Sequence, residues 1–180
     1  VMDRWLKQNS LDGSFLVAWS RQYETGGLPA ADVVGQRFDP GGARNGDIFP
    51  FQASGDRGYV PAVSSSPDGR TVVVWIGDDD EAYGTLYDPT GAPVSERFLV
   101  TDGPVFHTED GLAVSMNGSG EFIVVWSQGL IDEGEDLDIY GRSYGADGVP
   151  AGSPFMLSTP GGILHARVDV GLFPDGRKIG

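Results

Sequence analysis

The sequence predicts an all-β protein: a β-propeller-like array of about three four-stranded antiparallel blades plus a partial fourth. Two observations carry this. Tryptophan-ended apolar runs close at Trp19, Trp75 and Trp126, at intervals of roughly 50 residues, the period of propellers and solenoids. No segment carries a capped helical stripe of apolar residues over three turns.

The elements of each unit follow in order. The first is a short strand ahead of a turn, at 59–63, 112–114 and 168–170; in the first unit its place falls at Trp5 and Leu6. The turns are Asp12-Gly13, Asp68-Gly69, Gly118-Ser119-Gly120 and, opening the fourth copy, Asp175-Gly176. The tryptophan-ended strand comes next. It is apolar on consecutive residues, which suits a strand buried on both faces. The third strand alternates, as in Tyr83-Gly84-Thr85-Leu86-Tyr87, and holds a glycine in register at Gly35, Gly84 and Gly141. An acid stands three residues before each glycine: Asp32, Glu81 and Asp138. Turns such as Asp39-Pro40-Gly41-Gly42 and Asp88-Pro89-Thr90-Gly91 close this strand, because proline presets φ and the final glycine accepts positive φ. The fourth strand is headed by Phe49, Phe98 and Phe155. The chain therefore reads as one repeat domain, 1–180, with units at about 3–58, 59–109, 110–165 and a partial 166–180.

Composition narrows the function. A net charge of −14 argues against nucleic acid or an anionic membrane surface as partner. There is no cysteine, hence no disulfide frame or thiolate metal site. No apolar run reaches the roughly 18 residues that span a bilayer. Residues 1–10 hold no signal-type apolar core, and both ends read as cuts in something longer. Three units would leave two end faces uncovered, so further blades or a protein partner are expected.

The repeat unit reads Asp-Gly-x-Phe-Val-Val-x-Trp, an acidic loop, Asp-Ile-Tyr-Gly-Arg-x-Tyr, Gly-x-Pro and Phe-x-Leu. It resembles tandem repeats of large secreted and cell-surface bacterial proteins, often calcium-associated. Ser66-Pro67-Asp68-Gly69-Arg70 and Phe173-Pro174-Asp175-Gly176-Arg177 resemble the turn of TolB-type propeller blades. The resemblance implies a periplasmic or extracellular binding or scaffolding module.

In such blades, the link between second and third strands opens on the same face as the link between blades. The first set of loops holds Glu24 and Asp32; Asp78, Asp79, Asp80 and Glu81; and Asp132, Glu133, Glu135, Asp136 and Asp138. The second holds Asp56, Asp102, Glu109 and Asp110, with His107 and His165. Clustered carboxylates with flexible spacing are what Ca²⁺ takes. Asp132, Glu135, Asp136 and Asp138 are the candidate ligands, without the order of an EF-hand loop; the alternative is a solvated acidic loop. Asp32, Glu81 and Asp138 read first as acceptors of local backbone N–H groups. No cofactor is required.

A catalytic set is absent from the reading. Ser66-Pro67-Asp68-Gly69 places its glycine one residue early for a sialidase-type Asp box, nothing selects a glycosidase carboxylate pair, and no Gly-x-Ser-x-Gly motif occurs. His107 beside Glu109 and Asp110 could mimic a base and its orienter, but histidines in connections are more often surface residues. The chain is accordingly expected to be non-enzymatic, with a carbohydrate-binding or carbohydrate-active propeller and a calcium-stabilised adhesin segment as alternatives. Trp19, Trp75 and Trp126 are expected to be equivalent and buried. Trp5 and Leu6 form either a degenerate strand or a docking tail, and as a tail they would contact the partner.

Overall fold

The computed structural model describes residues 4–8, 13–25, 28–51, 57–101, 103, 105, 111–129, 138–158 and 168–172, without the side chains of 4–8, 25, 28 and 29. The described residues form twelve strands and no helix. They are β1 (Arg4–Gln8), β2 (Phe15–Thr25), β3 (Leu28–Phe38), β4 (Arg44–Pro50), β5 (Tyr59–Ser65), β6 (Thr71–Ile76), β7 (Ala82–Tyr87), β8 (Phe98–Leu99), β9 (Leu112–Met116), β10 (Phe122–Gln128), β11 (Asp138–Tyr144) and β12 (Phe155–Met156). These make three four-stranded sheets in chain order, β1-β2-β3-β4, β5-β6-β7-β8 and β9-β10-β11-β12, antiparallel throughout.

The expected register holds across the sheets. Gly35, Gly84 and Gly141 pair with Ala18, Val74 and Val125, each the residue before the repeated tryptophan. Across the next ladder the same glycines face Phe49, Phe98 and Phe155. The reason for glycine is steric. A Cβ on Gly84 would lie 2.6 Å from the Phe98 ring, and one on Gly35 would lie 2.6 Å from Phe51. The outer aromatic lies over the bare backbone of the third strand.

Alternation along the second strand of each sheet sends its side chains to two neighbours. Leu16 and Ala18 of the first sheet pack with Val73 and Trp75 of the second, around Phe51, Val63 and Tyr87. Val72, Val74 and Ile76 turn the other way and join Phe122, Val124 and Trp126 of the third sheet. Burying each such side chain is worth about 1.5–3 kcal/mol, so the sheet faces, rather than the turns, hold the array together. The inner strands are also tied to one another. Ser64 Oγ accepts from Met116 N at 3.0 Å, and Ser115, one unit later, accepts from Leu172 N at 3.0 Å.

Four expectations change. Trp75 and Trp126 are each 1% exposed, but Trp19 is only half-buried. Trp75 and Trp126 each pack with residues of the preceding sheet, and among the described residues no sheet precedes the first. Trp5 and Leu6 lie in β1 opposite Ala18 and Val17, so the strand, not the tail, is what forms. Glu24 and Asp32, expected in a loop, belong to strands, because the β2–β3 ladder runs on to Thr25 and Leu28. Val168, Val170 and Leu172 pack on Ala113, Ile123 and Val125 as a fourth unit would, but belong to none of the three sheets.

Candidate functional site

The two ends of the sheets differ in chemistry. At one end, the first turn of each sheet packs on the third: Gly13 on Pro40, Gly69 on Pro89, Gly120 on Ala146. The three glycines have φ of +83°, +89° and +86°, a region open to glycine without strain. Arg70 Nη1 adds a bond to Ala146 O of the next sheet at 3.2 Å. This end is built for packing.

The opposite end carries Glu24, Asp32, Asp138 and the acids of the loop 77–81, while Asp39, Asp68, Asp88, Glu121 and Asp147 stand in the turns of the packing end. Val105, from the connection between second and third sheets, donates to Asp80 O at 2.6 Å and bridges to Gln128. Gln128 in turn pairs with Asp138. The loop 77–81 and the start of β11 are thereby joined at one end of the molecule. His107, His165, Asp132, Glu135 and Asp136 lie outside the described residues.

Asp32, Asp79, Glu81 and Asp138 are engaged by protein groups. Tyr83 Oη donates to Asp79 Oδ2 at 2.5 Å and lies 3.4 Å from Glu81 Oε2. That bond to Asp79, with burial and the two negative charges, pushes the Tyr83 phenol up to about 12, and it holds the Asp79 carboxyl below its ordinary value. Asp138 accepts from Ser158 Oγ at 2.7 Å, and the same oxygen accepts from Ile139 N at 3.1 Å. Asp32 takes both Nε and Nη2 of Arg21, at 3.1 and 2.7 Å. The three in-register acids thus take side-chain donors, where the sequence pointed to local backbone N–H groups. Among the described residues no three metal-binding side chains converge.

A further feature, concave, was not visible in the motifs. A cleft of about 1080 Å³ opens between the first and second sheets, lined by Arg37, Phe49, Phe51, Trp75, Thr85, Tyr87 and the 91–97 segment. Tyr87 Oη donates to Phe51 O at 2.6 Å across its inner end, and burial pushes this phenol up to about 12. The Arg37 guanidinium stacks 4.8 Å from the Phe49 ring, and Arg97 stacks 4.4 Å from Tyr83. Trp75, part of the cleft floor, is buried with its Nε1–H lacking an acceptor.

The equivalent junction between second and third sheets explains the cleft. There, Trp126 Nε1 donates to Gln128 Oε1 at 2.9 Å, two residues along the strand. Two residues after Trp75 stands Gly77, which has no side-chain acceptor to offer. Arg142, in the register position of Thr85, reaches Val100 O of the second sheet at 3.4 Å and Gly152 O at 3.2 Å. Phe98, Phe122 and Tyr144 stack in the same junction, with centroids 4.7 to 6.1 Å apart. Threonine for arginine and glycine for glutamine leave the first junction open. The two substitutions are readable in the aligned repeats; that they face one cleft is not.

No family model matches the sequence, and no curated protein matches it. Among solved structures, the endo-arabinase from Bacteroides thetaiotaomicron VPI-5482 is similar, with a TM-score of 0.49 and 12% identity over 86% of this chain. The chain spans 61% of the length of that structure. At this level the likeness carries no argument about the chemistry of the cleft. It does correct one expectation: the similar protein is an enzyme, so the non-enzymatic reading of this chain is dropped.

Proposed function

We propose that the three sheets are blades of a propeller-type array, and that the chain is an extracytoplasmic binding module whose ligand enters the cleft between the first and second sheets. The supporting observation is the contrast of the two junctions. One is filled by Arg142 and satisfies its tryptophan; the other keeps a cleft with a buried, unsatisfied indole N–H at its floor. Leaving such a donor without an acceptor costs about 1–3 kcal/mol, a cost that the second junction avoids. Clefts of this kind, apolar with a few placed polar groups, are where small ligands and peptide segments bind. The resemblance to repeats of secreted and cell-surface bacterial proteins supports the location, which fractionation of the native cells with immunodetection checks; a cytoplasmic pool alone would contradict it.

The Trp75 indole resonance in a ¹⁵N-correlated spectrum reports on the site. A panel of peptides and oligosaccharides is titrated, and a ligand of the cleft moves the Trp75 resonance and leaves that of Trp126 in place. Thr85→Arg, which places in the cleft the side chain found at the other junction, abolishes the shift. A panel in which no member moves Trp75, or moves it equally in Thr85→Arg, would contradict the reading.

A further inference from the structure

We infer that the cleft between the first and second sheets takes an arginine side chain presented by a partner protein, its guanidinium entering the place that Arg142 occupies at the second junction. The inference rests on the cleft being the binding site and names its ligand class.

The repeat supplies the template. Arg142 donates from Nη1 to Val100 O of the second sheet at 3.4 Å and from Nε to Gly152 O of its own sheet at 3.2 Å, with its guanidinium 5.9 Å from the Tyr144 ring. Each of these partners has a counterpart at the first junction. Phe51 N bonds to Val33 O as Val100 N bonds to Ala82 O, so Phe51 O stands in the place of Val100 O. Val94 N bonds to Leu86 O as Ala151 N bonds to Ser143 O, so the next carbonyl, Ser95 O, stands in the place of Gly152 O. Tyr87 takes the register position of Tyr144, and Thr85 that of Arg142. Phe51, Thr85, Tyr87 and Ser95 all line the cleft of about 1080 Å³. The first junction therefore keeps the acceptors of the second and lacks the donor.

The acceptors have capacity for a ligand. Phe51 O takes the Tyr87 hydroxyl at 2.6 Å, which uses one of the two lone pairs of a carbonyl. Ser95 Oγ is held by Leu86 N at 3.0 Å, which fixes the backbone carrying the second carbonyl. Charge agrees. The chain carries −14, which draws a cationic ligand at long range. Arg37 and Arg97 also line the cleft, stacked 4.8 Å from Phe49 and 4.4 Å from Tyr83. They are set against Glu96 in the lining and against Asp79 and Glu81 beside the Tyr83 hydroxyl. A guanidinium suits the place better than an ammonium, because its planar fork of donors can reach carbonyls of two facing sheets at once.

The test titrates acetyl-Val-Arg-Val-amide into the 180-residue chain at about 150 mM salt, with lysine, citrulline or glutamate in the middle position as comparators. The arginine peptide moves the Thr85 and Ser95 amide resonances. The lysine and citrulline peptides bind about tenfold more weakly, the first for want of the fork and the second for want of the charge. Thr85→Val leaves binding in place, while Thr85→Arg, which fills the socket from within, removes it; melting temperatures show that both variants are folded. Equal binding of the arginine and lysine peptides overturns the inference and leaves the cleft as a site. The arginine peptide binding Thr85→Arg as tightly as the parent chain places it elsewhere on the acidic surface and also overturns the inference. The glutamate peptide moving Thr85 and Ser95 when the arginine peptide does not would overturn the ligand class alone. No peptide moving either resonance overturns the inference, and the wider panel of peptides and oligosaccharides then decides on the cleft itself.

Discussion

The two sheet junctions use the same repeat and reach different ends. Between the second and third sheets, Phe98, Phe122 and Tyr144 stack, Arg142 spans to the second sheet, and Trp126 finds Gln128. Between the first and second, Trp75 and Tyr87 are buried as deeply, but Thr85 and Gly77 stand where Arg142 and Gln128 would. A repeat unit therefore need not change its strands to change its role. Two side chains on an unchanged ladder decide whether a junction is solid or open. Arginine matters here through its stem and its fork of donors together, because the same residue fills volume and satisfies a carbonyl of the neighbouring sheet.

The largest effects test how the tryptophans are covered. Trp126→Ala is expected to cost about 3–5 kcal/mol through lost burial and the cavity left behind, measured by denaturant unfolding. Trp75→Ala falls in the same range, and Trp19→Ala costs distinctly less, since Trp19 is half-buried. Equal losses at Trp19 and Trp126 would show that another sheet covers the first. Trp126→Phe should cost more than Trp75→Phe, because only Trp126 gives up a hydrogen bond.

Next come the residues that distinguish the junctions. Arg142→Thr should destabilise by about 1.5–3 kcal/mol, the range for hydrogen bonds from a charged group. Thr85→Arg should cost less than Arg142→Thr, because the cleft that Thr85 lines has room for the side chain. A severe loss with Thr85→Arg would mean that the cleft is not open as described.

Glycine replacements give a smaller, graded effect. Gly84→Ala brings a Cβ to 2.6 Å of the Phe98 ring, whereas at Gly141 the nearest atom is Leu157 Cδ1 at 3.2 Å. The first should cost about 1–3 kcal/mol and the second less, read from the same unfolding curves.

The smallest effect is the pH dependence of the loop beside the cleft. Asp79 is held below its ordinary value of 3.8, so its bond to Tyr83 contributes stability above that pH, which is lost as pH falls through the lowered value. The Tyr83 phenol is raised from 10.0 to about 12, so its contribution is full below pH 10 and is lost as pH rises toward 12. Tyr83→Phe should therefore separate from the parent chain at neutral pH and converge with it in strong acid and above pH 12. A constant difference across the range would contradict the Asp79 bond.

Much of the fold was legible in the sequence because strand alternation and turn chemistry are local. The tryptophan spacing, the Asp-Gly turns and the glycines opposite Phe49, Phe98 and Phe155 all place strands without knowledge of distant contacts. Trp19 was misjudged because burial depends on what stacks on a strand, not on the strand itself. Glu24 and Asp32 were misjudged because the tail of the β2–β3 hairpin carries charge on a ladder closed by an Arg21–Asp32 pair. The cleft was invisible for a related reason. Thr85 and Arg142 align in the repeats, but only the packed sheets show that one faces a gap and the other fills it.

Hydrogen exchange of the indole Nε1–H groups tests the central contrast most directly. The Trp75 and Trp126 resonances are assigned from the single Trp→Phe variants, and exchange with solvent is followed at constant pH without ligand. Both side chains are 1% exposed, so burial alone predicts equal protection. The structure predicts that Trp126, bonded to Gln128, exchanges slowly, and that Trp75, without an acceptor at the floor of an open cleft, exchanges much faster. Equal protection of the two would contradict the account of an open first junction and a closed second one.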